Sequence, residues 1–350
     1  MGSLCLIDVS AVVYTGVYSP HYAQLTSYGY PTGGINFFIS QLMVPFYENN
    51  DIMLCFDSPN FRARMQSDYK SGRPHNPAAI SQIEVLYSYL SECGFPCYKF
   101  EGFEADDIID WAVQEFWSKY ESIIIVGNDM DLCHSLRPNV VFRACRSDMN
   151  YMRPSSFPYS IVKGEEIPYN MLSAYKCFCG CASDSIPTFK KEDGENSKTL
   201  FHRCAADYKA LNLCGDYDSS SSPDTLRLWA KTNGGFSEKD LENLETRIQM
   251  VYPAPPIEGT AFVPANRFNI DIEKFSTMLT MFQVKDALRN GDPARVLHWV
   301  QLTEDQKKQV YTLANEFKSG SFNADKNLPL NSERVASSPL RMDAFEKEFR

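Results

Sequence analysis

The sequence lacks several features that would place it in other classes of protein. It has no apolar run long enough to cross a bilayer, no repeat of fixed period, and no positively charged leader over Met1 to Leu4. Its five histidines form no evident Ser-His-acid arrangement. We therefore expect a soluble intracellular protein whose chemistry does not depend on a covalent serine intermediate.

Excess positive charge and a disulfide framework are also missing. The net charge of -10 argues against indiscriminate binding to polyanions but permits a local basic strip. Eleven cysteines in a chain of 350 residues are expected to be reduced thiols. A zinc site of Cys177, Cys179 and Cys181 with His202 and Cys204 is the less favoured alternative, because alternate residues of a strand do not close a tetrahedron easily.

What the sequence does contain is a set of short apolar runs that lead into carboxylates. The runs and their acids are Leu4 to Ile7 with Asp8, Ile52 to Phe56 with Asp57, and Ile123 to Val126 with Asp129 and Asp131. Such runs are typical of strands buried on both faces of a parallel sheet. Because helical patterns separate them, they predict an α/β fold in which the carboxyl ends of the strands meet at one edge.

The stretch Gly102 to Asp107 adds Glu104, Asp106 and Asp107 at the start of a predicted helix. Taken alone, these acids are better explained by the favourable interaction of carboxylates with a helix N-terminus. Together with the strand ends they indicate a metal site, because crowded carboxylates repel one another unless a cation neutralises them. Oxygen ligands favour Mg²⁺ or Mn²⁺, and the chemistry that this implies is phosphodiester hydrolysis with two ions.

A basic and aromatic segment follows the second strand. Phe61 to Arg73 holds four cations against one acid and interleaves them with Phe61 and Tyr69. Cations neutralise phosphates and aromatic rings stack on bases. A solvated charged helix is the alternative, but the position directly after Asp57 favours contact with a nucleic acid.

In their order and spacing, these segments resemble the structure-specific 5′ nuclease family. That family comprises flap endonucleases, bacterial and phage 5′→3′ exonucleases and phage ribonuclease H-type enzymes, on a PIN-like fold. The motifs that carry the resemblance are LIDVS (6–10), CFDS (55–58), FRARMQSDYKSGR (61–73), GFEADD (102–107), GNDMDL (127–132) and GCASDSIP (180–187). They cover roughly the first half of the chain.

The resemblance implies a metal-dependent 5′→3′ exonuclease or flap endonuclease in replication or repair. Its substrates would be DNA with 5′ ends, flaps or nicks, with RNA-DNA hybrids as a further substrate. The implied ligands of the first metal are Asp8, Asp57, Glu104, Asp106 and Asp107, and those that reach the second are Asp129, Asp131 and Asp184.

The resemblance also implies roles for the segment 61–73. Lys70 and Arg73 match the basic pair that contacts the scissile phosphate, and with Asp107 they form the implied catalytic set. Arg62 and Arg64 are expected to make general phosphate contacts. Tyr69 is expected to stack on a frayed terminal base.

The chain departs from the family pattern in two places. Cys181 stands where the family usually has Asp, and because a thiol is a poorer ligand for Mg²⁺, we expect the second ion to be held weakly. Thr188 to Thr199 contains one glycine, Gly194, and lacks the Gly-x-Gly hairpin with which relatives grip duplex DNA. Gripping of duplex DNA through this loop is therefore not expected.

We predict an α/β, PIN-like nuclease domain at 1–170 with an arch segment at 58–76, and a mostly helical DNA-binding region at 171–317 that completes the active site. The polar tail at 318–350 is expected to be mobile, and Phe345 and Phe349 suggest that it docks on a replication protein. No membrane partner is expected, and the location implied is the cytoplasm of a bacterial cell or phage-infected host. Two alternatives stay open: a weakened homologue that binds branched DNA without cutting it, and a PIN-type ribonuclease.

Overall fold

A computed structural model describes residues 2–43, 50–59, 62–67, 69–70, 76–145, 159–162, 165–210, 222–233, 235–265, 270–285 and 300–322. The elements up to residue 145 are β1 (Ser3–Asp8), α1 (Val9–Tyr18), β2 (Thr26–Ser27), β3 (Tyr30–Pro31), α2 (Gly33–Phe37, continued as a π-helix over Phe38–Met43), β4 (Asp51–Cys55), α3 (Arg62–Met65), α4 (Pro77–Glu92), β5 (Cys97–Tyr98), α5 (Ala105–Phe116), β6 (Ser122–Gly127), a 3₁₀ helix (Met130–Ser135) and β7 (Val140–Ala144).

The later elements are mostly helices. They are β8 (Tyr159–Val162), β9 (Glu165–Pro168), a 3₁₀ turn (Tyr169–Met171), α6 (Leu172–Cys179), α7 (Ser197–Ala210), α8 (Pro223–Thr232), α9 (Glu238–Val251), α10 (Ile272–Met281) and α11 (Glu304–Ser319). Within the described residues, no helix has both the length and the apolar character needed to cross a membrane.

The central sheet has five strands in the order β5-β4-β1-β6-β7, and all of its neighbours are parallel. The chain steps outward from β1 to β4 and β5 and then returns to β6 on the other side of β1. The strand order therefore reverses beside β1, and open α/β sheets form their sites at the carboxyl ends of strands at such a reversal. The predicted α/β fold with a parallel sheet is confirmed.

Adjacent residues of β1 face two different cores. Leu4 and Leu6 pack in the core that contains α5 and α6, whereas Cys5 and Ile7 pack in the core that contains α1, α4 and α10. Helices thus cover both faces of the sheet, so the strand is buried from Leu4 to Asp8. This explains why the strands read as continuous apolar runs rather than as an alternation.

The helices begin where side chains can bind their free backbone N–H groups. Asn76 accepts hydrogen bonds from the N–H groups of Ala78 and Ala79, and Pro77 occupies the first helical position, where no N–H is needed. In α5, Glu104 and Asp107 form a reciprocal capping box. Helix α4 accordingly begins at Pro77 and runs to Glu92.

The structure corrects the interpretation of the cysteine-rich run. Cys177 and Cys179 lie in α6 and not in a strand, and both are buried among apolar side chains. Residues two apart on a helix point in different directions, so this run does not offer a pair of parallel ligands.

The predicted domain division stays a prediction. Phe103 and Trp111 belong to the same core cluster as Phe178 and Phe201, so apolar packing is continuous across residue 170. The tail beyond 322 lies outside the described residues, and with it the predicted contacts of Phe345 and Phe349.

Candidate active site

Carboxylates from neighbouring elements meet at the carboxyl edge of the sheet. Asp8 ends β1 and caps α1 by accepting a hydrogen bond from Ala11 N at 3.0 Å. Asp57 follows β4 and accepts a hydrogen bond from Ala105 N, the first residue of α5, at 2.9 Å. Helix α5 is thereby fixed to the strand end, and it brings Glu104 and Asp106 to the same edge.

The end of β6 adds two further acids. Asp129 caps the 3₁₀ helix and accepts a hydrogen bond from Asp131 N at 3.0 Å. An open cleft lies beside this edge, and Asp184 reaches it from the loop that follows α6. The side chains that line the cleft are Arg62, Tyr69, Lys70, Glu104, Asp106, Asp107, Asp129, Asp131, His134, Lys176, Asp184, Ile186, Met250, Val251 and Pro253.

The ionised forms of the buried acids at this edge are electrostatically unfavourable, because the carboxylates lie close to one another and are shielded from water. Burial, followed by the charges of Asp57 and Asp129, raises the pKa of Asp8 to about 8. Burial, followed by the charges of Asp129 and Asp8, raises the pKa of Asp106 well above its usual range. A cation among them would favour their ionised forms, which is the electrostatic condition for a metal centre.

The donor set of Asp8, Asp57, Asp106 and Asp129, with Glu104 beside them, consists only of carboxylate oxygens, and it therefore fits a hard divalent ion. In the described part of the chain, no three His, Cys, Asp or Glu side chains form a ready metal cage. The fit consequently rests on the donor chemistry and on the raised pKa values of Asp8 and Asp106, not on coordination geometry.

Glu104 is held by three side chains from the segment that follows β4. Arg62 Nη1 donates to Glu104 Oε2 at 3.0 Å, and the Tyr69 hydroxyl donates to the same oxygen at 3.1 Å. Lys70 Nζ pairs with Glu104 Oε1. Lys70 has a φ of +54°, in the left-handed region that costs a non-glycine residue about 1 kcal/mol. Its backbone is therefore held in an unfavourable conformation by the surrounding contacts.

Two predicted DNA-contacting residues are thus directed inward. Arg62 is 4% exposed and Tyr69 is 9% exposed. The contact of Arg62 with phosphate and the stacking of Tyr69 stay predictions, and this placement does not favour them. Arg73 and the side chain of Arg64 lie outside the described residues.

Asp107 has the surroundings of a structural residue. It is fully buried, and its oxygens accept hydrogen bonds from Arg62, from Glu104 N at 3.0 Å and from Ala254 N at 2.8 Å. These contacts join α3, the start of α5 and the extended segment after α9. The roles predicted for Asp107 as a metal ligand and catalytic residue stay untested, but its oxygens already have these partners.

Sequence reasoning missed Lys176, which lies beside Asp131 and Asp184. Its ammonium pairs with Asp131 and lies 3.5 Å from Asp184 Oδ2. Although burial opposes it, Asp131 raises the pKa of Lys176. The sequence carried a signal, because a single lysine within the otherwise uncharged run Leu172–Cys179 needs an acidic partner when that helix is buried.

Sequence reasoning also missed His134. Its Nε2 lies 3.2 Å from Asp110 Oδ1, and Ser135 Oγ donates to the same oxygen at 2.6 Å. Despite burial, these contacts hold the pKa of Asp110 below its usual range and raise that of His134. The network ties the 3₁₀ helix that carries Asp131 to α5.

Comparisons with known proteins show what the chain is similar to. Residues 3–159 match the family model of the 5′-3′ exonuclease N-terminal resolvase-like domain. A 5′-3′ exonuclease of Aquifex aeolicus is 26% identical over 256 residues, which cover 72% of this chain and 81% of that protein. A 5′-3′ exonuclease of Bacillus subtilis is 23% identical over 292 residues, which cover 81% of this chain and 93% of that protein.

Among solved structures, a flap endonuclease of bacteriophage T5, in a complex with DNA and metal ions, aligns with a TM-score of 0.44 and 14% identity, over 89% of this chain and 99% of that one. The family model and the two exonucleases confirm the resemblance that the sequence motifs indicated. The chain is thus similar to 5′-3′ exonucleases over most of its length, and its residues 3–159 match their N-terminal domain.

Proposed function

We propose that the protein is a metal-dependent 5′→3′ exonuclease or flap endonuclease, which hydrolyses phosphodiester bonds near the 5′ ends of DNA in replication or repair. The observation that carries the proposal is the convergence of acids from β1, β4, α5 and β6 at one edge of the sheet, beside a cleft that Lys70 and Lys176 also line. Acids this close together favour binding of a cation, and the lysine ammonium groups favour binding of an anion. Hydrolysis of a phosphodiester uses both a bound metal ion and positive charge beside the phosphate.

Some residues of this site would bind the metal, and others would contact the substrate. Mg²⁺ or Mn²⁺ would be held by oxygens of Asp8, Asp57, Glu104, Asp106 and Asp129, and when bound it would supply a water of lowered pKa and positive charge at the phosphate. Lys70, whose ammonium contacts Glu104, would place its charge beside the transferred phosphoryl group as negative charge develops there. Arg73 is proposed for the same role.

Other residues hold the metal-binding side chains in position. Arg62 and Tyr69 orient Glu104, and Asp107 fixes the start of α5 to the segment after α9. A carboxylate held by several donors cannot rotate freely. Metal ligands depend on such partners for their orientation.

The test is cleavage of a 5′-labelled flap, a nicked duplex and a single-stranded RNA without an accessible 5′ end, each with Mg²⁺ or Mn²⁺. We expect cleavage of the two DNA substrates near their 5′ ends. Asp106→Asn should lower the rate at least about 100-fold, because it removes a charge at the reacting centre. The matched control is Asp305→Asn, which changes an exposed acid in the first turn of α11.

The other outcomes identify the alternatives. Tight binding of the flap without cleavage in either metal would indicate a DNA-structure binding protein. Cleavage of the RNA in preference to both DNA substrates would indicate a PIN-type ribonuclease. Either result would overturn the proposal.

A further inference from the structure

Two groups of acids lie at the carboxyl edge of the sheet and in the cleft beside it. The first group is Asp8, Asp57, Asp106 and Asp129, at the ends of β1, β4 and β6 and the start of α5. The second group is Asp131 and Asp184. The ammonium of Lys176 lies between the two acids of the second group, paired with Asp131 and 3.5 Å from Asp184 Oδ2.

The position of Lys176 is built into the fold. The lysine belongs to α6, where its neighbours Tyr175 and Cys177 are fully buried in the core. Its own side chain is 17% exposed. An ammonium so poorly hydrated is strongly unfavourable unless it is paired, so Lys176 is held beside the two carboxylates.

Cys181 lies beside this group. Its Sγ donates to Asp184 Oδ2 at 3.1 Å and lies 3.0 Å from Ser183 Oγ. Sulfur is a poor ligand for a hard divalent ion. One oxygen of Asp184 therefore receives the thiol and faces the ammonium, so a second ion would have to displace both.

We infer that Lys176 serves as the built-in cation of the second acid group, so that the cleft binds one divalent ion and not two. The inference deepens the proposed nuclease function, on which its catalytic meaning rests. The divalent ion belongs to the first group. At the second group the charge that offsets the phosphate comes from the lysine ammonium, which needs no dissolved metal.

The inference is tested by counting Mn²⁺ ions bound per chain, using electron paramagnetic resonance of the unbound ion at increasing Mn²⁺ concentration. The unaltered protein should bind one ion that Asp106→Asn abolishes. The variant Lys176→Met with Cys181→Asp should bind two, because it removes the competing charge and restores an oxygen ligand. Lys99→Met is the matched control, since Lys99 forms a similarly buried pair with Glu84 elsewhere on the protein, and it should still bind one.

The count for the unaltered protein decides the question even if the double variant fails to fold. Two ions that both disappear on mutation of the cleft acids would overturn the inference while leaving the nuclease function intact. No ion at millimolar Mn²⁺ would overturn the inference together with the proposed metal dependence. Lys176→Arg, which keeps the charge, should retain the count of one, and a count of two for that variant would also contradict the inference.

Discussion

Arg62 donates to both carboxylate oxygens of Asp107, from Nη2 to Oδ1 at 2.8 Å and from Nη1 to Oδ2 at 3.0 Å. Both side chains are almost fully buried, and Arg62 also donates to the carbonyl of Tyr252 at 2.9 Å. A planar guanidinium matches a carboxylate in this two-bond geometry. The pair therefore fixes the segment after β4 to the helix that carries Glu104 and Asp106.

Removal of this guanidinium should destabilise the protein strongly. Arg62→Met leaves Asp107 and Glu104 buried without their main cation, and breaking a buried pair from one side costs about 3–5 kcal/mol. The measurement is the free energy of unfolding from urea titration. Arg227→Met is the matched control, because Arg227 makes the same two-bond contact with Glu245 on a half-exposed surface. It should lose about 1 kcal/mol or less, and equal losses in the two variants would contradict this account.

Asp107→Asn should separate a structural role from metal binding. The amide keeps one acceptor but places an NH₂ group against the donors of Arg62, Glu104 and Ala254. We expect a loss of about 2 kcal/mol or more in the free energy of unfolding, while the folded variant still binds Mn²⁺. If the variant keeps full stability and loses the ion, Asp107 is a metal ligand as the family resemblance implies.

The stability of the metal-free protein should fall as the pH rises. The pKa of Asp8 is about 8 in the folded protein and about 3.9 in an unfolded chain. Between these values the folded state binds more protons than the unfolded state, so the free energy of unfolding decreases with rising pH, by at most about 1.4 kcal/mol per pH unit for each such group.

Urea titrations in a metal chelator at several pH values between 5 and 8.5 test this prediction. Asp8→Asn should show a weaker pH dependence, because the amide keeps the capping acceptor for Ala11 N without titrating. His134, whose pKa is raised, contributes in the same direction and is present in both proteins. An unchanged slope in Asp8→Asn would contradict the assignment, and Asp305→Asn should keep the slope of the unaltered protein.

Arg247 should matter for activity although it lies outside the cleft. Its guanidinium is buried, stacks on Phe189 and donates to the carbonyls of Cys177 and Thr188, on either side of the loop that presents Asp184. Arg247→Lys keeps the charge but loses the planar guanidinium, whose N–H groups donate to several carbonyls at once. We expect a lower cleavage rate with unchanged Mn²⁺ binding at the first acid group, measured alongside circular dichroism to confirm folding. An unaltered rate would show that the loop holds its position without this residue.

The sequence predicted the framework of the site because that framework follows from local rules. Buried parallel strands read as apolar runs, and their ends place Asp8, Asp57 and Asp129 at one edge whatever the rest of the chain does. The inward direction of Arg62 and Tyr69 could not be predicted in this way. It depends on contacts with Glu104 and Tyr252, which are 42 and 190 residues away from Arg62 along the chain.

The cation at the second acid group was missed for the same reason. Lys176 meets Asp131 across 45 residues, and the local pattern of α6 indicates the need for an acidic partner but not which acid it is. The substitution at Cys181 was visible in the sequence and drew attention to this group. The position of Lys176 there depends on the packing of α6 beside the 3₁₀ helix.

The central claim is that the acid edge of the sheet is the catalytic metal centre of a 5′ nuclease. The most direct measurement compares cleavage and binding of one 5′-labelled flap substrate by the unaltered protein, Asp106→Asn and Asp305→Asn, with Mg²⁺ or with a metal chelator. We predict that the unaltered protein and Asp305→Asn cut only with metal, and that Asp106→Asn binds the flap but cuts at least about 100-fold more slowly. Cleavage by Asp106→Asn at the rate of the unaltered protein, or undiminished cleavage in the chelator, would contradict the claim.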